Sequence, residues 1–198
     1  MHTLLVVAHP RPSSLTAQVA DRARSRLEAA GSTVDLLDLH TEGFDPRMTF
    51  EDEPDIDDPG KVYSAEVRAH MRRLEAADEI VIIFPVWWYG LPALLKGWID
   101  RVWNHGFAYG PRTFTSQLAG KRVLWLGLAG GTERAFTRSG VHGLLEQQLT
   151  AGISRYSGIE AATSHVVYDT IDNGAAALET ADAILADFVA AEATQVAA

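Results

Sequence analysis

The chain has 198 residues, 47% of them hydrophobic and 22% charged, with a net charge of −9 and no cysteine. That length suits one domain around one substantial core, so a single unit over 1–198 is expected. The acidic balance argues against nucleic acid as a partner, the lack of cysteine excludes disulfide scaffolds, thiolate metal sites and cysteine nucleophiles, and no apolar run approaches the roughly 20 residues of a stable membrane insertion.

Apolar runs alternate with helix-period segments along the chain. Thr3–Ala8 (TLLVVA) reads as a buried strand; the stretch MHTLLVVAHPRP has no basic n-region or cleavage site, which points to a cytoplasmic protein. Leu15–Ala30 reads as a helix with Leu15, Val19, Ala23 and Leu27 on one face and Gly31 as its stop. Thr33–Leu39 is a second strand. His40 to Val62 is polar, acidic and proline-bearing, hence a long loop, and its run EDEPDIDDP at 51–59 reads as a solvated cluster. Tyr63–Ala77 is a helix and Glu79–Phe84 a central strand. Pro92–Trp103 is a helix begun by proline, with Leu95, Trp98, Ile99 and Val102 inward. Arg122–Leu128 (RVLWLGL) is the fourth strand, followed by a helix over 140–151. Ser164–Tyr168 is a weaker fifth strand, and Asn173–Glu192 a last helix with Leu178, Ala181, Leu185 and Phe188 inward. The pattern predicts an α/β fold, a flavodoxin-like three-layer sandwich around a five-stranded parallel sheet of order 2-1-3-4-5.

In such sheets ligands bind outside the carboxyl ends of the strands, and three strand ends carry unusual loops. The first, His9 to Thr16 (HPRPSSLT), runs into a helix N-terminus whose free N–H groups, with the hydroxyls of Ser14 and Thr16, suit a phosphate; a plain serine cap fits the same residues. No GxxxxGK[ST] and no GxGxxG motif occurs, which argues against ATP, GTP and a standard dinucleotide site. The second loop, Pro85-Val86-Trp87-Trp88-Tyr89, sets three aromatics between a strand and a helix. A flat, apolar ligand with a polar edge, such as a flavin ring, would cover them; a core or subunit interface would do so equally. Trp98 and Trp103 fit core or interface better than ligand contact. The third, Ala129-Gly130-Gly131, lets backbone amides approach a ligand or simply turns the chain. His142 follows at a helix start. The remaining histidines show no ligand spacing, so no metal is expected.

Together these residues resemble the NAD(P)H:quinone oxidoreductase branch of the flavodoxin-like flavoproteins, from His9 to about Tyr168. The motifs are the His9–Thr16 loop, LEAAD at 74–78, PVWWYGLPALLKGWIDRV from Pro85 to Val102, GFAYG from Gly106 to Gly110, and Gly130-Gly131 followed by His142. The resemblance implies a homodimer with a flavin in each crevice, its phosphate on His9, Ser14, Leu15 and Thr16. Its ring would lie against Pro85, Val86, Trp87, Trp88 and Tyr89 on one side and Ala129, Gly130 and Gly131 on the other. It implies NAD(P)H as reductant and a quinone or similar planar acceptor, taking turns in a pocket walled by Trp88, Tyr89 and Phe136. Phe107 and Tyr109 would arrive from the facing subunit. His142 and Tyr109 are the candidate catalytic residues.

Two departures stand out. Where the animal enzymes carry a tyrosine after the Gly-Gly turn, this chain has Phe136, which has no hydroxyl. The acidic loop at 40–62 is longer than in compact FMN-binding relatives, which favours FAD over FMN. The expected activity is two-electron, ping-pong reduction of quinone-like acceptors. The same motifs occur in ancillary proteins of bacterial potassium-efflux systems, so a regulatory flavin-binding subunit is the alternative, and a flavodoxin-type electron carrier a third reading.

Overall fold

Five short apolar segments become strands because each can bury a side chain on at least one face of a sheet. They are β1 (His2–Val7), β2 (Thr33–Asp38), β3 (Glu79–Pro85), β4 (Arg122–Leu128) and β5 (Ala161–Val167). All pair in parallel, in the order β2-β1-β3-β4-β5, as expected. The structure, a computed structural model, describes residues 1–58 and 60–196. Pro59, the last residue of the acidic run, and the last two residues of the chain lie outside them. The central strand β3 is buried along its whole length, which is why EIVIIFP shows no polar alternation.

Alternate residues of the strands feed two cores. Leu4, Val6, Ile80, Ile82, Val123 and Trp125 face α2 (Ala65–Ala76) and α3 (Ala93–Val102). Leu5, Val7, Val81, Ile83, Leu124 and Leu126 face α1 (Leu15–Ala29) and α6 (Gly174–Val196). The α3 face is the expected one, Leu95, Trp98, Ile99 and Val102. Trp98 and Trp103 lie in this core, packed edge to face at 6.1 Å, and Trp125 continues the stack 6.0 Å from Trp103. On α6, Ala177 is buried and Leu178 only partly so; Ala181, Leu185 and Phe188 are inward as expected.

The region after β4 differs from expectation. One helix over 140–151 is replaced by α4 (Glu133–Arg138) and α5 (Val141–Gln147), separated at Gly140, whose φ of +74° ends the first helix in the left-handed region. A π-helical stretch, Gln148–Ser154, then continues α5. Its wider turn brings the Ser154 hydroxyl to the Leu149 carbonyl at 2.7 Å, where it also accepts the indole N–H of buried Trp125 at 2.9 Å. An unmade bond from that indole would carry a desolvation penalty, so the irregular turn has a local physical cause. β5 begins at Ala161, three residues earlier than its apolar run, because its backbone pairs with β4 from Arg122↔Ala161 onward. As an edge strand it is exposed at alternate residues, which hides it from an apolar-run criterion.

Among the described residues of the acidic run at 51–59 most are exposed, but Asp52 is not. Asp52 is fully buried and faces Arg101, itself 3% exposed, at 2.7 Å. Arg101 also pairs with Glu66 at 2.9 Å and donates to the Asp45 carbonyl. Thr49 and Ser64 donate to the same carboxylate, and Asn104 donates to the Asp52 carbonyl at 2.7 Å. Burial pushes the Asp52 carboxyl up, but the Arg101, Ser64 and Thr49 hydrogen bonds prevail and hold it below the usual range. Removing one partner of such a buried pair costs about 3–5 kcal/mol. The loop is thereby tied to α3, directly behind the Trp87 turn.

Candidate active site

Parallel strands with helices on both faces leave a crevice at their carboxyl ends, and the loops after β1, β3 and β4 meet there. After β1, Ser14 caps α1 by accepting from the Ala17 N–H at 3.1 Å. The cap engages one of the four N–H groups that a helix start leaves open. Those of Leu15 and Thr16 have no partner among the described residues. His9 lies on the same loop. Its Nδ1 accepts the Arg11 N–H at 3.0 Å, so a neutral ring carries its hydrogen on Nε2. Burial and the Arg11 charge lower the His9 pKa, which favours that neutral form. This one loop carries two open amides at a helix N-terminus, an imidazole N–H and Arg11, which are donors of the kind that fit a phosphate group.

The β3 loop is a two-residue hairpin. The N–H of Trp87 donates to the Gly90 carbonyl at 3.1 Å and the N–H of Gly90 donates back at 3.0 Å. Trp88 and Tyr89, at its tip, have φ of +50° and +60°. This is a type I′ turn, whose usual tip is Asn-Gly; two aromatics in the left-handed region cost about 1–2 kcal/mol each. Trp88 is 99% exposed and Tyr89 52%. Their N–H groups have no partner among the described residues, whereas that of Val86 donates to the Leu128 carbonyl and that of Trp87 is spent on the hairpin. Of the five residues Pro85–Tyr89, only Trp88 and Tyr89 can therefore offer a backbone donor. Pro85 is buried, and Val86 packs on the core.

The β4 loop closes the other side. Ala129 is buried, and the N–H groups of Gly130 and Gly131 have no partner among the described residues. Phe136 sits under Gly131, where an added Cβ would lie 3.2 Å from its ring. Aromatic contacts join the three loops: His9 to Trp87 at 6.0 Å and Tyr89 to Phe136 at 5.0 Å. The three loops thus meet with two open amides at the start of α1 and four more at the Trp88–Tyr89 and Gly130–Gly131 turns. A flavin, with a phosphate and a flat, polar-edged ring, fits donors and aromatics of this kind.

The remaining expected residues are distributed less simply. His142 lies on α5, half exposed, 2.6 Å from the Tyr168 hydroxyl, and Tyr168 packs on Phe136, which lies against Gly131. Phe107 is 7% exposed within the core of its own chain, so little of its ring is offered to a second subunit. Tyr109 packs on His105 and Tyr156 and lines a separate surface groove with Met48, Ile99 and Trp103. Neither Phe107 nor Tyr109 joins the crevice of its own chain. Tyr168 and Ile171, after β5, were not among the expected residues. Ile171 covers Gly130, with its Cδ1 2.6 Å from where a Cβ would stand. The strand-end rule applied to β5 would have found both.

Comparison with known proteins agrees with this architecture. The uncharacterized NAD(P)H oxidoreductase YcaK of Escherichia coli is 41% identical over 84% of this chain and 83% of its own length. Ribosyldihydronicotinamide dehydrogenase [quinone] of Rattus norvegicus is 33% identical over 71% of this chain and 68% of its own. The solved structure of NAD(P)H:quinone oxidoreductase from Methanothermobacter marburgensis superposes with a TM-score of 0.86 at 25% identity, covering 93% of each chain. Residues 1–189 match a family described by its flavodoxin-like fold, and on the sheet order, the strand-end crevice and these likenesses the chain belongs to that family.

Proposed function

We propose that the chain is a flavin-dependent NAD(P)H oxidoreductase that reduces quinone-like acceptors by two electrons. The observation that supports this reading is that the loop after β1, with two open amides at the start of α1, meets an aromatic hairpin held in a strained turn, His9 lying 6.0 Å from Trp87. Backbone strain at a strand end is retained where it serves a site. The names of the Escherichia coli, Rattus norvegicus and Methanothermobacter marburgensis relatives support the same activity.

A bound flavin supplies the redox chemistry. The Leu15 and Thr16 amides and the His9 Nε2–H would hold its phosphate. The amides of Trp88, Tyr89, Gly130 and Gly131 would bond its polar edge. Trp88 and Tyr89, with Phe136 behind Tyr89, would border the site in which the nicotinamide and a planar acceptor would stack on the flavin in turn, which makes the kinetics ping-pong. Stacking brings reacting atoms to the near-contact distance that hydride transfer requires. His142 offers a hydrogen bond beside the Gly-Gly turn.

The length of the loop at 40–62 favours FAD, and two copies are proposed to assemble through the face bearing Met48 and Tyr156. Tyr109 of one copy would then face the crevice of the other. Exposed Phe50, Ile56 and Val62 on the same loop support an interface. The test is to purify the protein, release its cofactor by heat and identify it by chromatography, then follow NADH and NADPH oxidation with menadione. The expected result is a stoichiometric flavin and parallel lines in initial-rate plots. Protein without flavin, or with flavin but no turnover, would sink the proposal.

A further inference from the structure

The end of β5 brings one more polar group to the crevice. The Tyr168 hydroxyl lies 2.6 Å from His142 Nδ1. Its ring is held by Phe136, 5.2 Å away at 67°, and Phe136 in turn meets Tyr89. The turn that follows is tied to the glycine loop: Asp169 N–H donates to the Gly131 carbonyl at 3.0 Å and Thr170 N–H to the Ala129 carbonyl at 3.1 Å. Asp169 takes a φ of +55° to make that bond, an uncommon conformation for a residue other than glycine. Tyr168 is therefore fixed to the same backbone that frames the site.

We propose that Tyr168 is the positioning residue for His142, holding the imidazole through Nδ1 so that Nε2 is the nitrogen that carries the hydrogen and stays available. The inference rests on the role given to His142 in the preceding reading. With the phenol O–H donating to Nδ1 of a neutral ring, the remaining hydrogen lies on Nε2. If the ring is protonated, Nδ1–H donates to the phenol oxygen instead, so one partner serves both states. Burial and the nearby Glu133 carboxylate push the Tyr168 pKa up, which keeps the hydroxyl protonated. The other group facing the ring is Glu146, whose Oε2 is 4.0 Å from Nε2, beyond hydrogen-bond distance and more than half exposed. Phe136 itself brings no hydroxyl to this corner, so among the described residues the hydroxyl bonded to His142 comes from β5.

Tyr168→Phe removes one oxygen and keeps the ring that packs on Phe136. Nitrogen NMR of histidine-labelled, flavin-loaded protein should show the His142 ring signals moving toward the tautomer mixture of a free imidazole. Rapid-mixing measurements should show flavin reduction by NADPH slowed about fivefold to tenfold, the size of one lost hydrogen bond, with flavin affinity changed less than about twofold. The double variant with His142→Gln should be no slower than His142→Gln alone, because both act through one group. Unchanged His142 signals in Tyr168→Phe would overturn the proposal, as would full-speed reduction in Tyr168→Phe where His142→Gln is slow. If His142→Gln reduces flavin at the wild-type rate while Tyr168→Phe still moves the signals, the positioning stands and the role given to His142 falls.

Discussion

At Gly97 one methyl group would decide whether the acidic loop can seat. Glycine inside a helix ordinarily costs about 0.5–1 kcal/mol relative to alanine. Here a Cβ would stand 2.7 Å from the Pro46 Cα and closer still to its Cβ and carbonyl oxygen. That neighbour is backbone held by Arg101, which donates to the adjacent Asp45 carbonyl, and it cannot step aside cheaply. Gly97→Ala is therefore expected to destabilise by about 1–3 kcal/mol, seen as a lower urea midpoint with an unchanged slope. A gain in stability would show that the loop does not rest on α3. In the sequence Gly97 is one letter of a motif, and Asp52 is one acid among many. Their importance depends on residues distant in the chain, and neither spacing nor composition records such a contact.

Among the elements, the Trp87–Gly90 hairpin shows the clearest conflict between local preference and structure. Replacing its tip by Asn-Gly (Trp88→Asn with Tyr89→Gly) supplies residues suited to positive φ. Thermal unfolding should show a gain of about 1–3 kcal/mol. Turnover with NADPH and menadione should fall at least tenfold, since the wall is gone. Equal or lower stability would mean that the aromatics are not strained there. The three-aromatic run was legible as a turn because it interrupts a strand-to-helix connection; its turn type was not. Likewise α4 and the π-helical stretch were not legible, because the first depends on Gly140 ending a helix and the second on a buried indole seeking an acceptor. β5 was only partly visible, as an edge strand paired on one side shows weak apolar signal.

At the scale of the whole molecule, the crevice joins segments far apart in the chain, so a ligand there should stabilise the fold as a unit. A flavin bound only by the folded chain adds about 2.7 kcal/mol at a concentration one hundred times its Kd. For a domain of this size that is a rise of roughly 5–11 °C in Tm. FMN and FAD should give this shift in cofactor-free protein, and riboflavin, which lacks the phosphate, a much smaller one. An equal shift with riboflavin would remove the Leu15–Thr16 cradle from the account. By itself the sequence determined the α/β class, the sheet order and three of the strand-end loops. Apolar periodicity, helix caps and turn residues are local signals, and parallel strands with helical crossovers admit few arrangements. Only the tertiary structure decided which amides stay open, that Asp52 is buried against Arg101, and that Tyr168 reaches His142. Those facts arise where distant segments close on one another, and hydrogen-bond pairing is settled by that closure.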